Sequence, residues 1–133
     1  CMNPYVEEEE AREVRKIFES FGKVEIVDEK LIDAVVGVSG SSPAYVYMFI
    51  EALADAAVLG GIPREKAYTF AAQAVLGSAK MFLETKDHPG KLKDAVCSPA
   101  GTTIEAGRVL EQKGLRSAVM EAASAAVEVS RNM

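Results

Sequence analysis

Apolar residues recur at helical spacing over most of the chain. Val14, Ile17, Phe18 and Phe21 fall at i, i+3, i+4 and i+7, which predicts an amphipathic helix over 7–20. The glutamates Glu7 to Glu10 crowd its first turn, where the helix dipole favours negative charge. Gly22 is a stop signal, and Val24-Glu25-Ile26-Val27 reads as a short strand. Such a strand needs a partner, because unpaired backbone groups are costly once buried, and no second strand is legible nearby. Leu31, Ile32, Val35 and Val36 predict a helical turn or two within 28–38.

Ser42-Pro43 reads as a helix start with proline at the first helical position. The helix expected over 44–59 is apolar nearly all round, with Tyr45, Val46, Met48, Phe49, Ile50, Leu53, Val58 and Leu59. That pattern belongs to a helix buried among other helices or between subunits. Gly60-Gly61 ends it, and Pro63 opens a further helix to about Glu84. Asp87-His88-Pro89-Gly90 is a turn, followed by a short helix from Lys91 to Val96. Thr102 and Glu105 have the spacing of a capping box, for a helix to Lys113 that stops at Gly114. An alanine-rich helix over 116–131 completes the chain. The pattern therefore predicts a mainly α, multi-helical fold.

Composition narrows the function classes. The chain has 133 residues, 49% of them hydrophobic and 26% charged, and a formal net charge of -5. It offers no basic footprint for nucleic acid. The longest uncharged run, Ala34 to Ile50, is interrupted by glycine, serine and proline and is too short for a membrane span. Two cysteines, Cys1 and Cys97, make neither a disulfide framework nor a zinc motif, so a cytoplasmic setting is expected. The single histidine, His88, rules out a His-based metal cluster. The absence of methionine at position 1, with no signal peptide in its place, leads us to expect a processed chain or a fragment.

Few segments carry candidate chemistry. Residues 37–43 look like a phosphate loop without its lysine, and a plain helix start is the favoured reading. Glu51 and Asp55 are more simply a solvated or paired edge than an acid/base pair. His88 is expected to be structural, Lys91 and Lys93 solvated, and Cys97 a small apolar residue. Ser98-Pro99-Ala100-Gly101-Thr102-Thr103 stands apart. A turn with small residues runs into a helix N-terminus, whose free N–H groups and partial positive charge suit a carboxylate or phosphate. A tight cap without a ligand is the equal alternative.

The stretch His88-Pro89-Gly90-Lys91-Leu92-Lys93-Asp94, with Ser98-Pro99-Ala100-Gly101-Thr102-Thr103-Ile104, resembles the signature of the pyrroline-5-carboxylate reductases. Asp33-Ala34-Val35, Ser39-Gly40-Ser41-Ser42-Pro43-Ala44-Tyr45 and Glu51-Ala52-Leu53-Ala54-Asp55 resemble it as well. The similarity runs from about Glu7 to the C-terminus. It implies a helical dimerisation domain like the C-terminal domain of 6-phosphogluconate dehydrogenase over 29–133. Residues 1–28 would then be the last helix and strand of a nucleotide-binding Rossmann domain, whose glycine-rich part is not in this sequence.

The implied reaction is reduction of 1-pyrroline-5-carboxylate to L-proline with NADP or NAD, the last step of proline synthesis. In this likeness Gly101, Thr102 and Thr103 bind the substrate carboxylate, and the Thr103 hydroxyl faces the ring nitrogen as the catalytic group. Glu29 and Ala95 align with cofactor-side positions. A homodimer or higher homo-oligomer is implied, with no metal, nucleic acid or membrane partner. Ser42 and Ala100 stand where the family usually has glycine, and Val36 where threonine is common. Both small replacements preserve their turns unless a positive φ is needed. The rival readings are a non-catalytic helical dimerisation module and the C-terminal domain of a related imine or hydroxyacid reductase.

Overall fold

The computed structural model describes residues 1–3 and 5–133. Its helices are α1 (Glu8–Glu19), α2 (Ile32–Val35), α3 (Ser42–Leu59), α4 (Arg64–Thr85), α5 (Pro89–Ala95), α6 (Thr102–Gln112) and α7 (Leu115–Arg131). Among the described residues there is no strand. Residues 24–27, expected to form one, run as irregular chain, since no neighbouring strand offers the backbone partners that strand geometry requires. The chain divides into two compact units, Cys1–Ser41 with Ala123–Met133, and Ser42–Ala122.

In the first unit α1 exposes its apolar face. Val14, Ile17, Phe18 and Phe21 are all exposed, and Phe18 meets Phe21 edge-on at 5.7 Å between ring centroids. The Glu10 carboxylate accepts a hydrogen bond from the Glu7 N–H at 3.1 Å, closing the start of the helix. A single 3-10 turn, Glu29–Leu31, leads into α2. The chain then widens into a π turn, Val36–Gly40, in which the Ser41 N–H reaches the Val36 carbonyl at 2.8 Å. Gly37 is buried against the end of α7. Nearby the Ser130 hydroxyl donates to the Asp33 carboxylate at 2.6 Å.

Helix α3 starts at Ser42 with Pro43 next, as the sequence predicts, but the segment before it is a π turn and not a loop. Proline has no N–H and its ring crowds the carbonyl one turn back. One extra residue in the turn absorbs that crowding, so helical backbone continues where a loop was expected. The result is a helical run of 31 residues, Glu29–Leu59, with a window of mean hydropathy 1.2. By length and composition it is long enough to cross a membrane, although its sequence reads as interrupted.

The second unit is built on α3 packed against α4. Its buried core is three alanines, Ala54, Ala67 and Ala71, with Ile50, Ala57, Val58 and Ile62 against them. At the end of α3 the Ile62 N–H bonds the Ala57 carbonyl and the Gly61 N–H bonds that of Val58, with Gly61 at φ +92. This Schellman arrangement turns the chain and folds Ile62 back on the core. Arg64 joins Asp55 across the turn and lies over the Tyr68 ring. Asp55 is therefore a paired edge residue, the simpler of the two readings of Glu51 and Asp55.

The helix α3 was expected to be buried, but within this chain it is not. Val46, Tyr47, Met48, Phe49, Leu53 and Leu59 are exposed. Accessible surface totals 10979 Å², against about 6,800 Å² expected for a folded monomer of this mass.

Gly37 gives a direct test of the first unit. A Cβ there would lie 2.6 Å from Val127 Cγ2 and 2.8 Å from the Ala123 carbonyl oxygen. Gly37→Ala is expected to destabilise the protein by roughly 1–3 kcal/mol, read as a lower urea midpoint.

Candidate functional site

The candidate site lies on the segment between α5 and α6. The Gly101 N–H donates to the Ser98 carbonyl at 3.0 Å, which closes a four-residue turn. Pro99 and Ala100 take the central positions. Ala100 has φ +57, the left-handed value that the third position of a type II turn requires and glycine normally supplies. Ser42 shows no such value, so its replacement of glycine leaves the backbone unstrained.

The expected capping box is absent. Gly101 caps α6, at φ -78 and ψ 167, and no side chain caps it. Thr102 and Thr103 are the first two helical residues, both exposed. Glu105 turns instead to Arg108, one helical turn on, with contacts of 2.6 and 2.9 Å. The hydrogen bond from Arg108 holds the Glu105 carboxyl below its ordinary range.

This leaves the helix start without a side-chain cap. Among the described residues the N–H groups of Thr102, Thr103 and Ile104 have no acceptor, and the first α6 bond runs from Glu105 to the Gly101 carbonyl at 3.4 Å. Gly101 differs from its expected role because its own N–H is engaged in the turn. Its contribution is the missing side chain, since a Cβ there would collide with Ser98 Oγ. The Ile104 N–H was not foreseen. It follows from moving the cap from Thr102 to Gly101, which makes residues 102–104 the unpaired first turn.

Thr103 borders a largely apolar groove between α6 and α7, lined also by Lys93, Cys97, Leu110, Leu115 and Met120. Lys93 hydrogen-bonds Asp94 at 2.6 Å. That bond, and then the charge of Asp94, hold its ammonium above the ordinary range, so the groove has a cation at its edge at neutral pH. Ala95 is the last residue of α5 and Glu29 opens the 3-10 turn of the first unit. Both are exposed, and neither borders this groove. Among the described residues no three His, Cys, Asp or Glu side chains are grouped to hold a metal ion. His88, read as structural, caps α5 through its ring.

Alanine in a left-handed conformation costs about 1–2 kcal/mol relative to glycine. Ala100→Gly is therefore expected to raise stability by roughly 0.5–1 kcal/mol after the entropy of the added glycine is deducted. A thermal melt should move up by a few degrees, and an unchanged or lower melting temperature contradicts the strain.

The family model for pyrroline-5-carboxylate reductase dimerisation matches residues 29–133. The chain is 63% identical to the pyrroline-5-carboxylate reductase of Escherichia coli over 131 residues, 98% of this chain and 49% of that protein. Against the Synechocystis enzyme of the same name identity is 50%, again over 98% of this chain and 49% of the relative. A solved pyrroline-5-carboxylate reductase from Coxiella burnetii superposes with a TM-score of 0.91 at 36% identity, over 98% of this chain and 48% of that one. The Plasmodium falciparum pyrroline carboxylate reductase, solved with NADP bound, gives 0.87 at 36% identity, over 99% and 50%. The chain thus spans about half the length of the curated relatives it matches. On the match over 29–133 and these identities, the chain belongs to the pyrroline-5-carboxylate reductase dimerisation family.

Proposed function

We propose that the protein carrying this chain reduces 1-pyrroline-5-carboxylate to L-proline with NAD(P)H in the cytoplasm, and that this chain supplies the substrate cradle and the subunit interface. The observation that carries the reading is the α6 start: three free N–H groups beside a hydroxyl, on a turn kept bare by Gly101. A carboxylate is the anion that such a terminus suits. Thr102 and Thr103 hold it through their backbone, and Gly101 lets it come close.

Reduction of a C=N bond also needs a proton at the ring nitrogen. Thr103 has the only side chain on this turn that combines a hydroxyl with a place on the groove. It donates a hydrogen bond to the nitrogen and relays the proton as charge develops there.

The residues present do not fit a whole dinucleotide. A pyrophosphate is held by the free N–H groups of a glycine-rich loop. Here residues 36–40 form a helical turn. We therefore derive no step through the nicotinamide. Glu29 and Ala95 remain as edge contacts in this reading, and residues 1–28 as the tail of the nucleotide-binding domain, with 29–133 as the helical domain.

The exposed faces of α3 and α7 support a homodimer. Phe49, Leu53, Val119 and Met120 are exposed in this chain, and apolar patches above a few hundred Å² mark interfaces. The groove beside Thr103 has a volume of about 1000 Å³, far more than a five-membered ring acid fills, so a further wall is needed. We read the apolar run of α3 as this interface rather than as a membrane span.

Three measurements test the proposal. In the full-length protein, Thr103→Ala should lower kcat by about 10²–10⁴, while Thr103→Ser retains most of it. Thr102→Ala should change stability by less than about 0.5 kcal/mol, because Thr102 caps nothing. Wild-type kcat in Thr103→Ala removes the assigned role. Light scattering of this chain at micromolar concentration should give twice its 14.2 kDa mass, and a monomer overturns the interface.

A further inference from the structure

We propose that His88 is a positioning residue for the Ser98–Thr103 turn, acting through α5 as a ring that accepts a hydrogen bond at Nδ1. Its kinetic consequence rests on reading that turn as the carboxylate cradle. Its structural consequence does not.

His88 is the residue before α5, in extended conformation at φ -58 and ψ 134. The Gly90 N–H donates to its Nδ1 at 3.0 Å. Its carbonyl accepts from the N–H groups of Lys91 and Leu92 at 2.9 and 3.2 Å. The acceptor role places the ring proton on Nε2. Pro89 takes the first helical position, where no N–H is wanted. Gly90 makes room for the ring, since a Cβ on it would stand 3.0 Å from Nδ1 and 3.3 Å from Cε1. Three consecutive residues thus specify one cap.

The helix behind this cap has little else to hold it. It is seven residues long and none is buried. A helix that short is far below the length that is stable alone in water. Its ion pairs, Lys91 to Asp87 at 2.8 Å and Lys93 to Asp94 at 2.6 Å, lie at the surface and are worth little. Yet its far end carries the site. The Val96 and Cys97 N–H groups bond the carbonyls of Lys93 and Asp94, and Lys93 and Cys97 border the same groove as Thr103. Ser98, whose carbonyl anchors the Gly101 N–H, follows at once. If the first turn of α5 frays, the anchor of the substrate turn loosens with it.

The test compares His88→Ala with His88→Asn in the full-length protein, since asparagine keeps a cap acceptor and alanine does not. Amide hydrogen exchange and steady-state kinetics are both read. In His88→Ala, exchange at 90–97 and at Gly101 should accelerate about fivefold, with exchange in α3 and α4 unchanged. KM for the pyrroline acid should rise several-fold while kcat stays within about twofold. His88→Asn should restore both to near wild type. Unchanged exchange at Gly101 in His88→Ala overturns the proposal, as does acceleration spread equally over α3 and α4. Failure of asparagine to rescue overturns it too. If the protein does not reduce the imine, the proposed function fails, and the exchange comparison still decides the role of His88.

Discussion

The contact on which the second unit depends is the meeting of α3 and α4 through alanine methyls. Ala54 and Ala67 are wholly inaccessible and Ala71 is nearly so. Small side chains at the seam bring two helix backbones close, and the larger apolar side chains of both helices are displaced to the outside. Phe49, Leu53 and Phe70 are left exposed as a result. Close packing is favourable because dispersion contacts fall off steeply with distance, but three alanines remove little apolar area from water. At about 25 cal/mol per Å², the stabilisation of this helix pair must come mostly from surface that the chain itself leaves uncovered. A dimerisation family is the class of protein in which such a design makes sense.

Much of this was legible in the sequence because the signals are local. Glycines at 60–61 and 114, prolines at 63 and 89, and the 3.6-residue period of apolar side chains marked where the helices start and stop. The places where the reading fails are those where a local signal has two physical outcomes. Ser42-Pro43 marks the start of α3, but it carries no information on the segment before it, which a loop or a wider helical turn can supply. Here the chain arrives helical and the proline is accommodated by a wider turn, whose Gly37 has no room for a side chain. Which case applies depends on Gly37 fitting against Ala123 and Val127, a contact between residues far apart in sequence.

The site shows the same division. Thr102 with Glu105 satisfies the spacing of a capping box, but Glu105 also stands three residues before Arg108. An ion pair with two hydrogen bonds competes for the same carboxylate and wins. With Glu105 turned away, no side chain covers the helix start. The three N–H groups stay free, which is the condition for binding an external anion. A more complete cap would have given a more stable helix with fewer free N–H groups.

Ala100 and Gly101 sharpen that trade. The turn makes opposite demands on two adjacent residues. Position 100 needs a positive φ, and position 101 needs no side chain at an ordinary φ. A pair of glycines satisfies both, and it also gives the unfolded chain its greatest freedom, so ordering it carries the largest entropy cost. With alanine at 100 that cost falls, and in exchange the folded turn carries left-handed strain. Strain of this kind persists only where neighbouring contacts fix the conformation. Pro99 sets the first half of the turn, and the Gly101 N–H to the Ser98 carbonyl closes it. Both flank Ala100 directly, so the strained residue is held by its two nearest neighbours. Alanine is thus tolerated at 100, where the demand is conformational, whereas at 101 any side chain meets Ser98. The departure from glycine therefore falls on the one residue of the pair that can bear it.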